Sequence, residues 1–357
     1  MKAKRKIYLR PFGFFGISQG KFLEKKNKAI RLANGCRFFT KIEIISKTNK
    51  IQSESMSVEE FLKLVKKKKN QHLLNILSRL KSKRTLLSKS PFRKKNYYIF
   101  GILNVTPDSF SDGGHNVLLD NAIKSTMEMI NNKVDFIDVG GESTRPGANK
   151  VRVNDEILRT MPIIQYLHKC KVNISLDTRN SETMKLGLLS GAAIINDVSA
   201  LTNNKDSIDV IKKFKKPVIL MHMPGNPKTM MDHVYKNFLL DIYDYLEKRI
   251  EFCIKNGINR SSIIIDPGIG FGKDSKQNIE VLKNISLFHS LGCPIMLGAS
   301  RKRFISNIYG QTEPKERLAG SIAVALHSFY QGVQIYRVHD VFETKQALEI
   351  FNYIESK

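Results

Sequence analysis

Eight short apolar runs, separated by amphipathic helical patterns, fill residues 97–357 and predict a TIM (β/α)8 barrel carrying a small basic N-terminal α+β extension. Two further observations support this fold class. A polar residue closes nearly every run at its C-terminal end, where the strands of such a barrel converge on one site. The charge also breaks at residue 96: of the formal net +26, residues 1–96 contribute +22, from 27 Lys/Arg against 5 Asp/Glu. An open doubly wound sheet would show the same alternation, but the convergent polar ends favour the barrel.

The elements follow in order. Residues 1–96 read as an accessory module. Apolar alternation around 7–15 and again over 38–45 predicts two strands. Ser57 and Glu60 stand at capping-box spacing, and Leu73, Ile76, Leu77 and Leu80 then recur on one helical face. The Lys/Arg-rich stretch 81–96, broken by Pro91, reads as a linker to a catalytic domain at 97–357. There the strand-like runs are 97–105, 134–139, 172–176, 192–195, 218–221, 263–265, 295–297 and 333–338, with helical patterns such as 241–253 and 316–330 between them.

Composition narrows the class. Hydrophobic residues make up 41% and charged residues 26%, ordinary for a globular chain. No stretch approaches the roughly 20 apolar residues of a membrane span, and no apolar leader opens the chain. Cys36, Cys170, Cys253 and Cys293 lack paired spacing, which argues for reduced thiols in a cytoplasmic setting and against zinc or disulfides. The basic module could attract nucleic acid or acidic lipid. Its lysine run at 66–69 comes with no nucleic-acid motif, so a solvated surface is the expectation and nucleic acid is not an expected partner.

The strand ends supply the chemistry. In order they deliver Asn104, Gly-Glu-Ser-Thr-Arg-Pro-Gly at 141–147, Asp177, Asn196, Met221-His222-Met223, Asp266 with the glycines 268, 270 and 272, Ser300-Arg301-Lys302, and Arg337 with His339. Asp177, Asn196 and Asp266 suit the N–H donors of a ligand edge, because an ionised Asp only accepts hydrogen bonds and Asn does both. Arg301, Lys302, Arg337 and His339 follow the last two strands, where this fold often binds phosphate. Arg337 and His339 share one strand face. A nitrogen-rich heterocycle lying deep, with phosphate on the basic side, is the substrate class these residues imply. His222 and Met223 fit packing as well as binding. Cys293 fits the core better than a nucleophile.

Asn-Val-Thr-Pro-Asp-Ser-Phe-Ser-Asp-Gly-Gly (104–114), Gly-Glu-Ser-Thr-Arg-Pro-Gly-Ala, Asp-Pro-Gly-Ile-Gly-Phe-Gly-Lys, Ser-Arg-Lys and Arg-Val-His-Asp occur in this order, and over 97–357 the chain resembles the dihydropteroate synthases of folate biosynthesis. The resemblance implies condensation of 6-hydroxymethyl-7,8-dihydropterin diphosphate with 4-aminobenzoate, releasing pyrophosphate, with Mg²⁺ assisting and sulfonamides competing. It implies that Asp177, Asn196, Met221, Asp266 and Lys302 hold the pterin, and that Asn104, Thr144, Arg337 and His339 hold the diphosphate, with Asn104 also near the metal. Arg145, Pro146, Phe271, Ser300 and Lys302 would form the aminobenzoate pocket, and Asp177, Lys302 and Arg145 would be the catalytic set. It further implies a dissociative route through a pterin-methyl cation, loops 106–114 and 142–150 that close over it, and a homodimer.

Two features depart from the family pattern. Arg303 stands where a small residue is common, and the basic module is extra. A fused pyrophosphokinase domain would be too long to fit within it. A corrinoid-linked methyltransferase pterin domain would share the barrel but has no need of Ser-Thr-Arg-Pro and Ser-Arg-Lys. A nucleic-acid-binding protein with a vestigial barrel is the reading from another class.

Overall fold

The computed structural model describes residues 5–68, 70–88, 91–92, 95–106 and 115–356. The extension is an antiparallel sheet, β1 (Lys6–Phe15), β2 (Ile30–Arg31), β3 (Phe38–Lys47) and β4 (Ile51–Ser57), with β3 paired to each of the others. Helix α1 (Ile17–Lys25) follows β1, and α2 (Val58–Lys68) and α3 (Gln71–Lys81) follow the sheet. The capping box forms: Ser57 N donates to Glu60 Oε2 at 2.9 Å, and Glu60 N donates to Ser57 Oγ at 3.2 Å. Helix α3 buries Leu73, Ile76, Leu77 and Leu80, the four positions its periodicity picks out.

The barrel alternates strand and helix, with two helices between its last two strands. Its strands are β5 (Tyr98–Asn104), β6 (Phe136–Gly140), β7 (Ile174–Asp177), β8 (Ile194–Asp197), β9 (Val218–Met221), β10 (Ile263–Asp266), β11 (Met296–Leu297) and β12 (Ile335–Val338). Between and after them run α4 (His115–Asn131), α5 (Val153–Lys169), α6 (Ser181–Leu189), α7 (Ser207–Phe214), α8 (Phe238–Lys255), α9 (Ser275–Lys283), α10 (Arg303–Tyr309), α11 (Leu318–Tyr330) and α12 (Val341–Ser356). All eight strands pair in parallel, in the order β10-β9-β8-β7-β6-β5-β12-β11. A bridge between Ile265 and Ile295 closes the ring, which excludes the open sheet.

The barrel interior is filled from below. Tyr98, Phe100, Phe136, Ile194, Ile219, Ile264, Met296 and Ile335 form one buried cluster, and Leu86 and Phe92 complete it. The Phe92 ring lies 4.9 Å from that of Tyr98 and 4.8 Å from that of Phe136. So two apolar side chains of the stretch read as a linker, Leu86 and Phe92, pack into the barrel floor.

The sheet of the extension also docks on the barrel wall. Arg37, 2% exposed, donates to Glu355 Oε2 at 2.6 Å and lies 4.7 Å over the Phe329 ring. Lys6 reaches Asp244 and Glu247, each at 2.6 Å, and Tyr8 meets Tyr243 edge-on.

Candidate active site

Strands β5, β7, β8 and β10 end on polar side chains, Asn104, Asp177, Asp197 and Asp266, and β12 carries Arg337 one residue before its end. Arg337 on β12 sits at the centre of the resulting ring. Its Nε donates to Asp138 Oδ2 at 2.6 Å and its Nη2 to Asp177 Oδ2 at 2.8 Å. Asn196 donates to the same Asp138 oxygen at 3.1 Å. The other oxygen, Asp138 Oδ1, is buried and accepts no hydrogen bond among the described residues. Gly140 separates Asn104 from Asp177: a Cβ placed on it would lie 3.6 Å from Asn104 Oδ1 and 3.5 Å from Asp177 Cβ.

Asp266 ends β10 and accepts from Gly268 N at 2.7 Å. Gly268 has φ +72, and a Cβ would fall 2.0 Å from His222 O, so no other residue fits this turn. Behind the turn, Lys273 is buried and donates to Gly268 O and Phe271 O at 2.9 Å each, with His222 Nδ1 at 3.0 Å. His222 thus serves the scaffold, its ring edge-on to Tyr245. Phe271 packs with Val198, Met221, Met223 and Met230, and the Lys302 ammonium lies 4.2 Å over its ring.

The basic side is less positive than its residue count. Arg301, at φ 58, is tied to Asp340. Ser300 Oγ accepts from His339 N at 3.2 Å and lies 3.1 Å from its Nδ1, so it fixes the ring against β11's loop. Thr144 is half-buried, while Arg145 and Pro146 stay on the exposed turn of their loop. Of the loop 106–114 expected to close, only Thr106 lies within the described residues.

Electrostatics follow from burial. Loss of water pushes the Asp266 carboxyl up to about 6, tempered by the Gly268 N–H. Asp177 is also raised by burial; Arg337 opposes the rise and Asp138 adds to it. Burial works against the Arg337 cation, yet Asp138 and Asp177 outweigh it and hold its pKa above the ordinary value. Lys302, partly exposed by area, is lowered to about 8 by desolvation of its ammonium and by Arg337. Burial takes Lys273 down to about 7 and His339 to about 3.

Asp138 escapes a reading of strand-end residues, and so does the buried role of Lys273. Asp138 lies inside an apolar run, and its signal is an acid two residues before Gly140, on the same strand face. Lys273 closes a glycine-rich motif and gives no sign of being buried. Among the described residues, no three His, Cys, Asp or Glu side chains are grouped to hold a metal ion.

A closed parallel barrel with two carboxylates, an amide and a cation-capped aromatic shelf at its C-terminal mouth defines a pterin-binding barrel enzyme. The sequence profile of that family, described as "Pterin binding enzyme", matches residues 100–339. The chain belongs, within it, to the dihydropteroate synthase family, and so to the transferases. It is 42% identical to the dihydropteroate synthase of Escherichia coli over 71% of this chain and 90% of that one. The Yersinia pestis dihydropteroate synthase, solved with a sulfonamide drug, superposes with a TM-score of 0.71 at 36% identity, covering 75% of this chain and 98% of the other. For the Xanthomonas albilineans dihydropteroate synthase with 4-aminobenzoic acid, the TM-score is 0.69 at 37% identity, over 73% and 94%.

Proposed function

We propose that the barrel mouth joins 6-hydroxymethyl-7,8-dihydropterin diphosphate to 4-aminobenzoate, giving 7,8-dihydropteroate and pyrophosphate. The observation that carries this reading is that Asp177 stands in register with Asn196, and Asp266 with Met221, at strand ends of one closed ring that also carries the Phe271–Lys302 shelf. The carboxylates and amide accept the N–H donors of the pterin edge, and Met221 packs on its ring. Pyrophosphate leaves first, and the methyl carbon then meets the arylamine. Buried carboxylates offset the positive charge that develops on the ring, so no nucleophilic side chain is needed.

On this reading Asn104, Thr144, Arg337 and His339 face the diphosphate, the last as a neutral ring. Arg145, Pro146, Ser300 and Lys302 bound the aminobenzoate with Phe271. Mg²⁺ suits a site to which the Asn104 amide oxygen contributes, because this ion is commonly held mainly by substrate phosphates and water. When bound, it would neutralise charge on the departing pyrophosphate. The test is pyrophosphate release that requires both substrates and Mg²⁺, competed by a sulfonamide against 4-aminobenzoate. Release that ignores 4-aminobenzoate removes the reading.

We also infer a homodimer. Its support is the outer face of α12, where Phe342, Ile350 and Ile354 stand 53%, 59% and 64% exposed. Sedimentation at micromolar concentration checks it, and a monomer there ends it.

A further inference from the structure

Between β6 and α5 the chain makes a loop whose two ends meet on one buried carboxylate. Glu142 Oε1 accepts from Val151 N at 3.1 Å and from Arg179 Nη2 at 2.8 Å, while Oε2 accepts from Arg179 Nε at 2.8 Å. The side chains of this pair are 3% and 9% exposed. One carboxylate therefore pins both ends of the 143–150 loop together, and pins them to a residue two positions beyond Asp177. Arg179 is itself fixed: Asn203 donates to its carbonyl at 3.1 Å, and the adjacent Asn180 donates to buried Glu156 at 2.8 Å. Arg159 holds Gly141 O at 3.2 Å from the other side.

The turn of the loop is held differently. Arg145, Pro146 and Gly147 are exposed, and Gly147 N reaches Pro227 O at 2.9 Å. A forked Arg–carboxylate pair fixes orientation as well as distance. Its natural consequence here is a rigid base under an adjustable turn.

We propose that Glu142 and Arg179 are positioning residues for the arylamine half of the reaction, setting the offset between the 143–150 loop and Asp177. This rests on the synthase reading above. Neither side chain touches substrate; both act through Arg145 and Pro146, which the clasp presents to the aminobenzoate. The pterin contacts of Asp177, Asn196 and Asp266 do not pass through the clasp.

Glu142→Gln keeps an acceptor for Val151 N but loses half of the fork, and Arg179→Lys keeps the charge without the fork. For Glu142→Gln, KM for 4-aminobenzoate should rise about tenfold or more, while calorimetric Kd for the pterin diphosphate moves by less than about twofold. Arg179→Lys should give an intermediate rise in the same parameter. If Glu142→Gln does not fold, Arg179→Lys decides alone. An unchanged KM, or equal losses in pterin Kd and arylamine KM, overturns the proposal and marks the pair as stabilising only. An inactive wild-type enzyme would instead remove the synthase reading and the clasp's role together.

Discussion

Arg337 touches two buried carboxylates, so its removal does more than subtract a cation. Arg337→Ala takes the cation from Asp138 and Asp177 in the barrel, which should cost about 3 kcal/mol of stability and raise KM for the pterin diphosphate. A melting curve and pterin-dependent kinetics check both; an effect confined to aminobenzoate KM would contradict the placement. Asp177→Asn should cut turnover by orders of magnitude in the pyrophosphate assay. Asp266 links activity to stability with opposite signs. Its pKa in the fold, about 6, lies above the ordinary 3.8, so its charge costs the folded state nothing below 3.8. The cost grows as pH rises to 6 and reaches about 3 kcal/mol at neutrality. Over the same interval kcat/KM should rise, and the rise should continue through about 7, where the raised Asp177 carboxyl loses its proton. Asp266→Asn should therefore raise the melting temperature at pH 7 while abolishing turnover. At this scale the residues after each strand were legible because polar side chains at successive strand ends are improbable by chance. Asp138 was not, since one acid inside an apolar run looks like any strand interruption.

Strands β7, β8 and β10 run past the ends of their apolar runs. The run 172–176 becomes a strand ending at Asp177, and 192–195 one ending at Asp197. Hydrophobicity stops at the first polar residue, but the ladder continues through it, because that residue faces the site rather than solvent. Polar β4 gave no signal for a related reason: its side chains are mostly exposed, and pairing with β3 alone fixes it. The floor segment was the least legible element, since lysines outnumber the two side chains that pack. Phe92 meets three rings of the barrel interior. Phe92→Ala should destabilise by about 3 to 5 kcal/mol, read as a lowered denaturant midpoint, with KM values unchanged in the folded fraction.

Across the molecule, charge and contact tell different stories about residues 1–96. Charge alone sets this region apart, yet Arg37, Lys6, Leu86 and Phe92 bind it to the wall and floor. Deletion to 97–357 should therefore lower the melting temperature sharply and expose apolar surface to a hydrophobic dye; a truncated protein as stable as the full chain would refute this. The barrel fold itself was readable from one end to the other because alternation over eight units leaves few closed solutions. What alternation could not reveal is where the ring is weakest. Beside the four-residue register of β9 with β10, the circle is completed by the Ile265–Ile295 bridge and by a two-residue strand, Met296–Leu297. The consequence is kinetic. Amide deuteration in native conditions should reach 295–297 before the neighbouring staves, and a barrel that parts there would let Ser300 and Lys302 swing relative to Asp266 without unfolding the pterin rim.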